Sequence, residues 1–135
     1  MTTVDRDPLV AEIIGAAIEI HHDLGPGLLE SVYQHCLMHA LIGKGIEVMS
    51  GVPVAVHYKG AVIDCGYRLD LLVGGDVIVE IKSVDKLQPI HTAQVLTYLR
   101  LSGARRALLM NFNGLTLKEG LRSYLGARSG EPRSA

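Results

Sequence analysis

Apolar positions recur along the chain with two different periods, and the switch between them divides it. Val10, Ile13, Ile14, Ala17, Ile18 and His21 fall at helical spacing behind Asp7-Pro8, a capping acid followed by a first-turn proline. Residues 8–22 therefore read as an amphipathic helix with one buried stripe. Gly25-Pro26-Gly27 breaks it. A second helix is expected from about Leu28 to Ile42, where Leu29, Val32, Tyr33, Cys36, Leu37, Ala40 and Leu41 form a broad apolar arc ended by Gly43-Lys44-Gly45. The period then drops to two. Val52, Val54, Val56 and Tyr58 alternate with Pro53, Ala55 and His57, Lys59-Gly60 supplies a tight turn, and residues 61–73 and 77–82 add two more strands. Pro89 opens a third helix over about 89–102, closed by Gly103. Ala107–Met110 is an uninterrupted apolar run, expected as a strand covered on both faces. Residues 115–125 are open between edge strand and short helix. The order is helix, helix, three-stranded meander, helix, strand: an α/β domain over residues 1–125, with residues 126–135 composed like a flexible tail.

Composition narrows the class. A chain of 135 residues with 48% apolar and 20% charged residues is large and apolar enough to bury one core without staples. No apolar run approaches the roughly 20 residues of a membrane span, the N-terminus lacks a secretory pattern, and Cys36 and Cys65 form no disulfide framework. A cytoplasmic location is the default. A net charge of −1 supplies no global field for a polyanion, so any such partner has to be held locally.

The candidate chemistry sits on the central hairpin. If Gly74-Gly75-Asp76 stays unpaired, Val73 faces Val77, which sets Asp70 opposite Glu80 and Arg68 opposite Lys82. Directly opposed residues have Cβ atoms roughly 4.5–5.5 Å apart, near enough for two carboxylates to share a divalent cation. A two-residue loop would instead pair Asp70 with Val79 and send Glu80 to the other face. In the expected register Leu69, Leu71, Val73, Val77, Val79 and Ile81 share one face, and Arg68, Asp70, Leu72, Ile78, Glu80 and Lys82 the other. Charges in a half-buried sheet are costly unless paired or metal-bound. A salt-bridge ladder with Arg68 and Lys82 is the alternative. Glu30 lies in line with Tyr33, Leu37 and Leu41, at about 100° per residue, and faces either the sheet or only its own helix dipole. His91, Gln94 and Tyr98 share one narrow arc of the third helix, as a site or as a polar edge.

Asp70, Glu80-Ile-Lys82 and Gln94-x-x-x-Tyr98 together resemble the PD-(D/E)xK nuclease superfamily, with the Gln…Tyr pair similar to its RecB-like branch. Gly27, Glu30 and Tyr33 match the motif of the small GxxExxY family. Residues 24–33, 67–73 and 77–82, His91-x-x-Gln94-x-x-x-Tyr98-Leu and Asn111-Phe112 follow that family's run of segments over roughly residues 8–122. Leu69 stands where the eponymous proline would be. The resemblance implies a restriction-endonuclease-like core and a Mg²⁺-dependent nuclease, with Mn²⁺ able to substitute. Asp70 and Glu80 would be metal ligands, with Glu30 close by and a backbone carbonyl, that of Ile81, completing the set. Lys82 would polarise the attacking water, and Gln94 and Tyr98 would shape the site. The implied partner is nucleic acid, DNA ahead of RNA, and so small a chain invites a homodimer or a larger protein partner. The contrasting reading is a binding or regulatory module that keeps the fold without turnover; a hydrolase of another phosphate ester is a third.

Other motifs carry less. His35 and His39 are four apart on a helix but project from its polar side without the acid of a zinc motif. His21-His22-Asp23 reads as a charge interaction at a helix end. Cys36 belongs to an apolar arc, and Cys65-Gly66 marks a bulge or strand break. Arg105, Arg106, Lys118, Arg122 and Arg128 form a late basic cluster, either phosphate-holding or simply solvated.

Overall fold

The computed structural model describes residues 7–127. The first apolar stripe becomes α1 (Pro8–Leu24), with Asp7 as its cap: the Asp7 carboxylate accepts the Leu9 and Val10 N–H groups at 3.0 and 3.3 Å. Val10, Ile13, Ala16, Ala17 and His21 are buried. The burial of His21 follows from its place on the stripe, and its ring Nε2, 2.9 Å from the Gly114 carbonyl, makes a long-range contact that the helix-end reading of His21-His22-Asp23 does not include.

The second helix, α2 (Glu30–Gly43), starts two residues late and buries a narrower line than its composition suggests. Tyr33, Leu37 and Leu41, one helical turn apart, are its buried line, Met38 and Ala40 pack against the core from partly buried positions, and Leu29 and Val32 are exposed. Helix and sheet touch along one seam, so apolar residues off that seam stay at the surface. Tyr33 also closes the preceding loop. Its hydroxyl donates to the Gly25 carbonyl at 2.6 Å and accepts the Leu28 N–H at 3.2 Å, while its ring stacks on Phe112 at 4.4 Å.

Five strands follow, β1 (Val48–Tyr58), β2 (Ala61–Val73), β3 (Val77–Lys82), β4 (Arg106–Asn111) and β5 (Leu121–Leu125), in that spatial order. All neighbours are antiparallel except β3 and β4, which are parallel and joined through α3 (Pro89–Ser102), as parallel strands require a crossover. The undecided stretch 115–125 resolves into a 3₁₀ turn, Lys118–Gly120, and the edge strand β5. Every residue of β4 is buried, as its unbroken apolar run implies.

Two clusters form the core on the two sheet faces. Tyr33, Leu37, Leu41, Leu71, Val73, Val77, Val79, Ile81 and Phe112 join the α1–α2 side. Ile78, Ala107 and Leu109 join Val95, Tyr98 and Leu99 of α3. Leu69 leaves its expected partners and packs in this second cluster with Val54.

The three-residue hairpin loop is realised. Val73 faces Val77, Leu72 faces Ile78 and Leu71 faces Val79. Gly74 and Gly75 take φ of +60° and +71°, which only glycine adopts without strain, and the Arg105 guanidinium holds Asp76 at 3.1 Å. Beyond Leu71–Val79 the ladder stops, so Arg68 never faces Lys82. It pairs with Pro53 of β1, and its guanidinium lies 3.5 Å from Asp64. The β1–β2 ladder itself slips between Pro53–Arg68 and Ala55–Asp64, leaving Cys65, Gly66 and Tyr67 opposite Val54 alone. That is the bulge signalled by Cys65-Gly66, and Cys65 is exposed.

Among the described residues no helix is long and apolar enough to cross a membrane. The tail expected at 126–135 lies outside the described residues from 128 onward, and so does Arg128. The remaining late arginines disperse: Arg105 pairs with Asp7 and Asp76, buried Arg106 donates to Ser123 at 2.8 Å, and Arg122 donates to the Glu119 and Leu121 carbonyls.

The Tyr33–Phe112 stack ties the start of α2 to the end of β4. Phe112→Ala is expected to cost about 3–5 kcal/mol, and Tyr33→Phe, which removes only the two hydroxyl bonds, about 1–2 kcal/mol. Urea unfolding of the two variants checks both values.

Candidate active site

The β2–β3 ladder ends at Leu71–Val79 while β2 stays paired with β1, and the main-chain groups past that point need other partners. Two carboxylates supply them. Glu80 Oε1 accepts the Asp70 N–H at 3.0 Å, and Asp70 Oδ2 accepts the Ile81 N–H at 2.8 Å. Each acid thus stands in for a missing rung on the opposite strand, which brings the two side chains together and fixes both. Glu80 is only 3% exposed. The Asp70 carbonyl is held in turn by the Gln34 side-chain amide of α2 at 3.1 Å.

Lys82, next on the same face of β3, lies with Nζ 3.4 Å from Gln94 Oε1, and Gln94 Nε2 donates to the Tyr98 hydroxyl at 3.2 Å. Gln94 and Tyr98 are i and i+4 on α3, so one helical turn aligns the relay. The arc of His91, Gln94 and Tyr98 therefore faces the strand end rather than forming a solvated edge. Glu30 approaches from the opposite layer. At the first turn of α2 its carboxylate accepts the Ser83 N–H at 3.2 Å, and the Ser83 hydroxyl donates to the Leu28 carbonyl at 2.7 Å. Its negative charge also acts on Asp70. All five polar residues expected at the site, with Glu30, converge on the end of β3, and Ile81 contributes only its main chain because its side chain is core.

The electrostatics are those of a site short of positive charge. Burial first, and then the charge of Asp70, push the Glu80 carboxyl up to about 8. Burial also raises Asp70, against the pull of the Ile81 N–H and of Lys82. Tyr98 is raised by burial and by both acids. The salt-bridge alternative does not hold: Arg68 is committed to Asp64, and Lys82 hydrogen-bonds Gln94. Nor, among the described residues, are three His, Cys, Asp or Glu side chains gathered as a ready ligand set. The acids stand as a close pair with Glu30 outlying, and His35 and His39 are exposed on α2.

Three neighbours escaped the sequence reading. Gln34 lies one turn after Glu30 on the same helical edge, a signal that spacing offered. Ser83 directly follows Lys82, but only the tertiary structure brings it to Glu30. Tyr67 borders Lys82 beside the bulge, and its one outward sign in the sequence is an aromatic residue following Cys65-Gly66.

The raised Glu80 gives the folded chain a distinctive pH dependence. Below its ordinary value of 4.5 the carboxyl is protonated whether the chain is folded or not. Between there and about 8 only the folded chain keeps the proton, so the stability of the metal-free protein falls as pH rises through this window. The limiting slope for one group is about 1.4 kcal/mol per pH unit. Urea unfolding in EDTA from pH 5 to 8.5 should show that decline in the wild type and a flattened profile in Glu80→Gln.

A family model described as the PD-(D/E)XK nuclease superfamily matches residues 7–124. No curated protein and no solved structure matches the chain. Two N-terminal helices, a five-stranded mixed sheet and the helix between its parallel strands form the restriction-endonuclease-like α/β core of that superfamily. With the match spanning nearly every described residue, the chain belongs to the PD-(D/E)XK nuclease superfamily.

Proposed function

We propose that the protein is a Mg²⁺-dependent nuclease that hydrolyses phosphodiester bonds of DNA or RNA, and that within the superfamily it stands with the GxxExxY family on the RecB-like side. The observation that carries the activity is the Asp70–Glu80 pair, Glu80 buried and Asp70 half-buried, beside Lys82. Two acids that burial drives toward protonation, with the charge of Asp70 adding to it at Glu80 and that of Glu30 at Asp70, are stabilised in their charged forms by a cation. Nucleases of this superfamily generally use divalent metal ions. Hard oxygen donors fit Mg²⁺, which binds through one or two carboxylates and keeps several waters, so a pair without a third close acid suffices. Asp70 and Glu80 would hold it, with the Ile81 carbonyl and Glu30 as further oxygens, and Mn²⁺ would substitute.

A bound divalent ion supplies neutralisation of phosphate charge and a more acidic water. The chain's own groups do the rest. Lys82 Nζ, steered by Gln94 Oε1, places a compact cation where the attacking oxygen and the phosphate gather negative charge. Tyr98 fixes the Gln94 amide, so the lysine is aimed before substrate arrives. The Gln34 and Ile81 contacts hold Asp70 at both its carbonyl and its carboxylate.

The finer family placement is supported by the geometry of its motif residues. Tyr33 clamps the loop at Gly25 and Leu28, Glu30 reaches Ser83, and Gln94 and Tyr98 act as one unit.

A non-catalytic binding module is favoured by one specific observation, the commitment of Arg105 and Arg106 to internal partners in a chain of net charge −1. Cleavage assays on labelled DNA and RNA with Mg²⁺, Mn²⁺ or EDTA separate the two. Asp70→Ala, Glu80→Ala and Lys82→Ala should each lower the divalent-dependent rate about 10²–10³-fold. A thermal stabilisation by Mn²⁺ that Asp70→Ala abolishes is expected alongside. Cleavage unchanged in all three variants would rule out this site as its source.

A further inference from the structure

Beside Lys82, on the far side from Glu30, lies a cavity of about 450 Å³ lined by Tyr67, Lys82, Ile90, His91, Gln94 and Tyr98. Four features shape it. The bulge sets Tyr67 in place: three residues of β2 oppose one of β1, and such insertions re-aim a side chain near a site. The bulge is braced on both sides, since the Asp64 carboxylate accepts the Gly66 N–H at 2.9 Å and lies 3.5 Å from Arg68. The Tyr67 ring meets Tyr98 edge-on, with centroids 5.9 Å apart at 65°, yet stays 43% exposed, which leaves ring surface for a partner. Ile90, in the first turn of α3 and 68% exposed, adds an apolar side chain to the same lining.

His91 completes the lining with a defined proton. Its Nδ1 accepts the Gln88 N–H at 2.9 Å, so the neutral ring carries hydrogen on Nε2, a donor without a role in the capping box. Apolar walls, an aromatic face and one or two hydrogen-bonding groups are the recognition set for a nucleobase. Lys82, Gln94 and Tyr98 line this cavity and also belong to the proposed catalytic cluster, so an occupant belongs to the same strand as the scissile phosphate.

From this continuity we infer that the cavity receives one unpaired nucleobase next to the bond to be cleaved, and that the substrate is single-stranded nucleic acid or an unpaired segment of it. The inference rests on the nuclease reading above. A base inside a continuous duplex cannot enter without being unstacked and flipped out. Charge points the same way. Duplex binding draws on rows of phosphate contacts, whereas here Arg105 and Arg106 are used internally and the net charge is −1. Stacking supplies affinity that does not depend on such a row.

The test uses the full chain and a fluorescent oligonucleotide in deoxy and ribo forms, each single-stranded and as a blunt duplex, with Mg²⁺. Single strands should be cleaved with at least tenfold higher kcat/KM than duplexes. Tyr67→Ala and Ile90→Glu should each lower that value about tenfold on single strands, as loss of one base–aromatic stack predicts, while Tyr67→Phe restores it. Both substituted side chains are exposed, and unchanged unfolding midpoints show that the variants fold. Quenching of 2-aminopurine within the same strand, measured with Glu80→Gln, reads occupancy without turnover. Equal cleavage of single and double strands, or full activity in Tyr67→Ala, would overturn the inference. If the wild type cleaves nothing, quenching that depends on Tyr67 upholds the base pocket and removes only the hydrolytic reading. Absence of quenching removes the pocket.

Discussion

Where β2 and β3 part, the main chain loses its partners, and Asp70 and Glu80 take their place. This exchange of carboxylate for carbonyl organises the rest of the molecule. It fixes two acids side by side in a half-buried sheet, each held by an N–H of the other's strand. The main-chain hydrogen bonds favour the charged forms, while burial opposes them, helped at Glu80 by the charge of Asp70 and at Asp70 by that of Glu30, and in both acids the opposition prevails. A fold optimised only for stability would close that gap with an apolar pair. Retaining it leaves a pair of acids whose full ionisation awaits a further positive charge, beside Lys82 at the end of a parallel strand, where α2, α3 and the β1–β2 ribbon all come within reach.

The same strand end is anchored from both layers. On the α2 side, Glu30 and the Leu28 carbonyl hold Ser83, and Tyr33 secures the loop that carries Leu28. On the β4 side, the Asn111 side chain accepts the Val84 N–H at 3.0 Å and donates to the Val84 carbonyl at 2.9 Å. Phe112 stacks on Tyr33, joining the two anchors through one aromatic contact. Lys82 is therefore followed immediately by residues with little freedom to drift. Precision in the lysine comes from this bracing as well as from Gln94, and the motif residues far from any reacting atom gain a physical purpose.

Much of this was readable in the sequence, because period and punctuation specify it. Asp7-Pro8, Pro89 and Gly103 bounded two helices, and Gly74-Gly75-Asp76 set the register that juxtaposes the acids. What failed was whatever depends on how strands leave one another. Alternation alone put Leu69 with Leu71 and Arg68 opposite Lys82; β2 parts from β3 after Leu71–Val79 while it stays paired with β1, so neither arrangement forms. Composition likewise overstated the apolar arc of α2, since Leu29 and Val32 have no seam to enter. The stripe placed His21 in the core, but its partner, the Gly114 carbonyl, is 93 residues away and left no local sign. Local patterns specify elements and turns, whereas the splay of a sheet and long-range polar contacts emerge only from packing.

The parting of β2 from β3 that keeps Arg68 from Lys82 is also what gives the site its asymmetry. Had β2 run straight, it would have continued its ladder with β3, and the Asp70 and Ile81 N–H groups would be satisfied by carbonyls. The acids would then have no structural reason to meet. Because β2 instead leaves β3 while staying paired with β1, the two carboxylates meet, and the bulge farther along β2 carries Tyr67, which lines one cavity with Lys82. An acid pair on one flank and an aromatic wall on the other suit a ligand that is itself divided into a charged and a flat apolar part. In a nucleotide strand those are the phosphate and the base, joined by a sugar short enough to span one lysine.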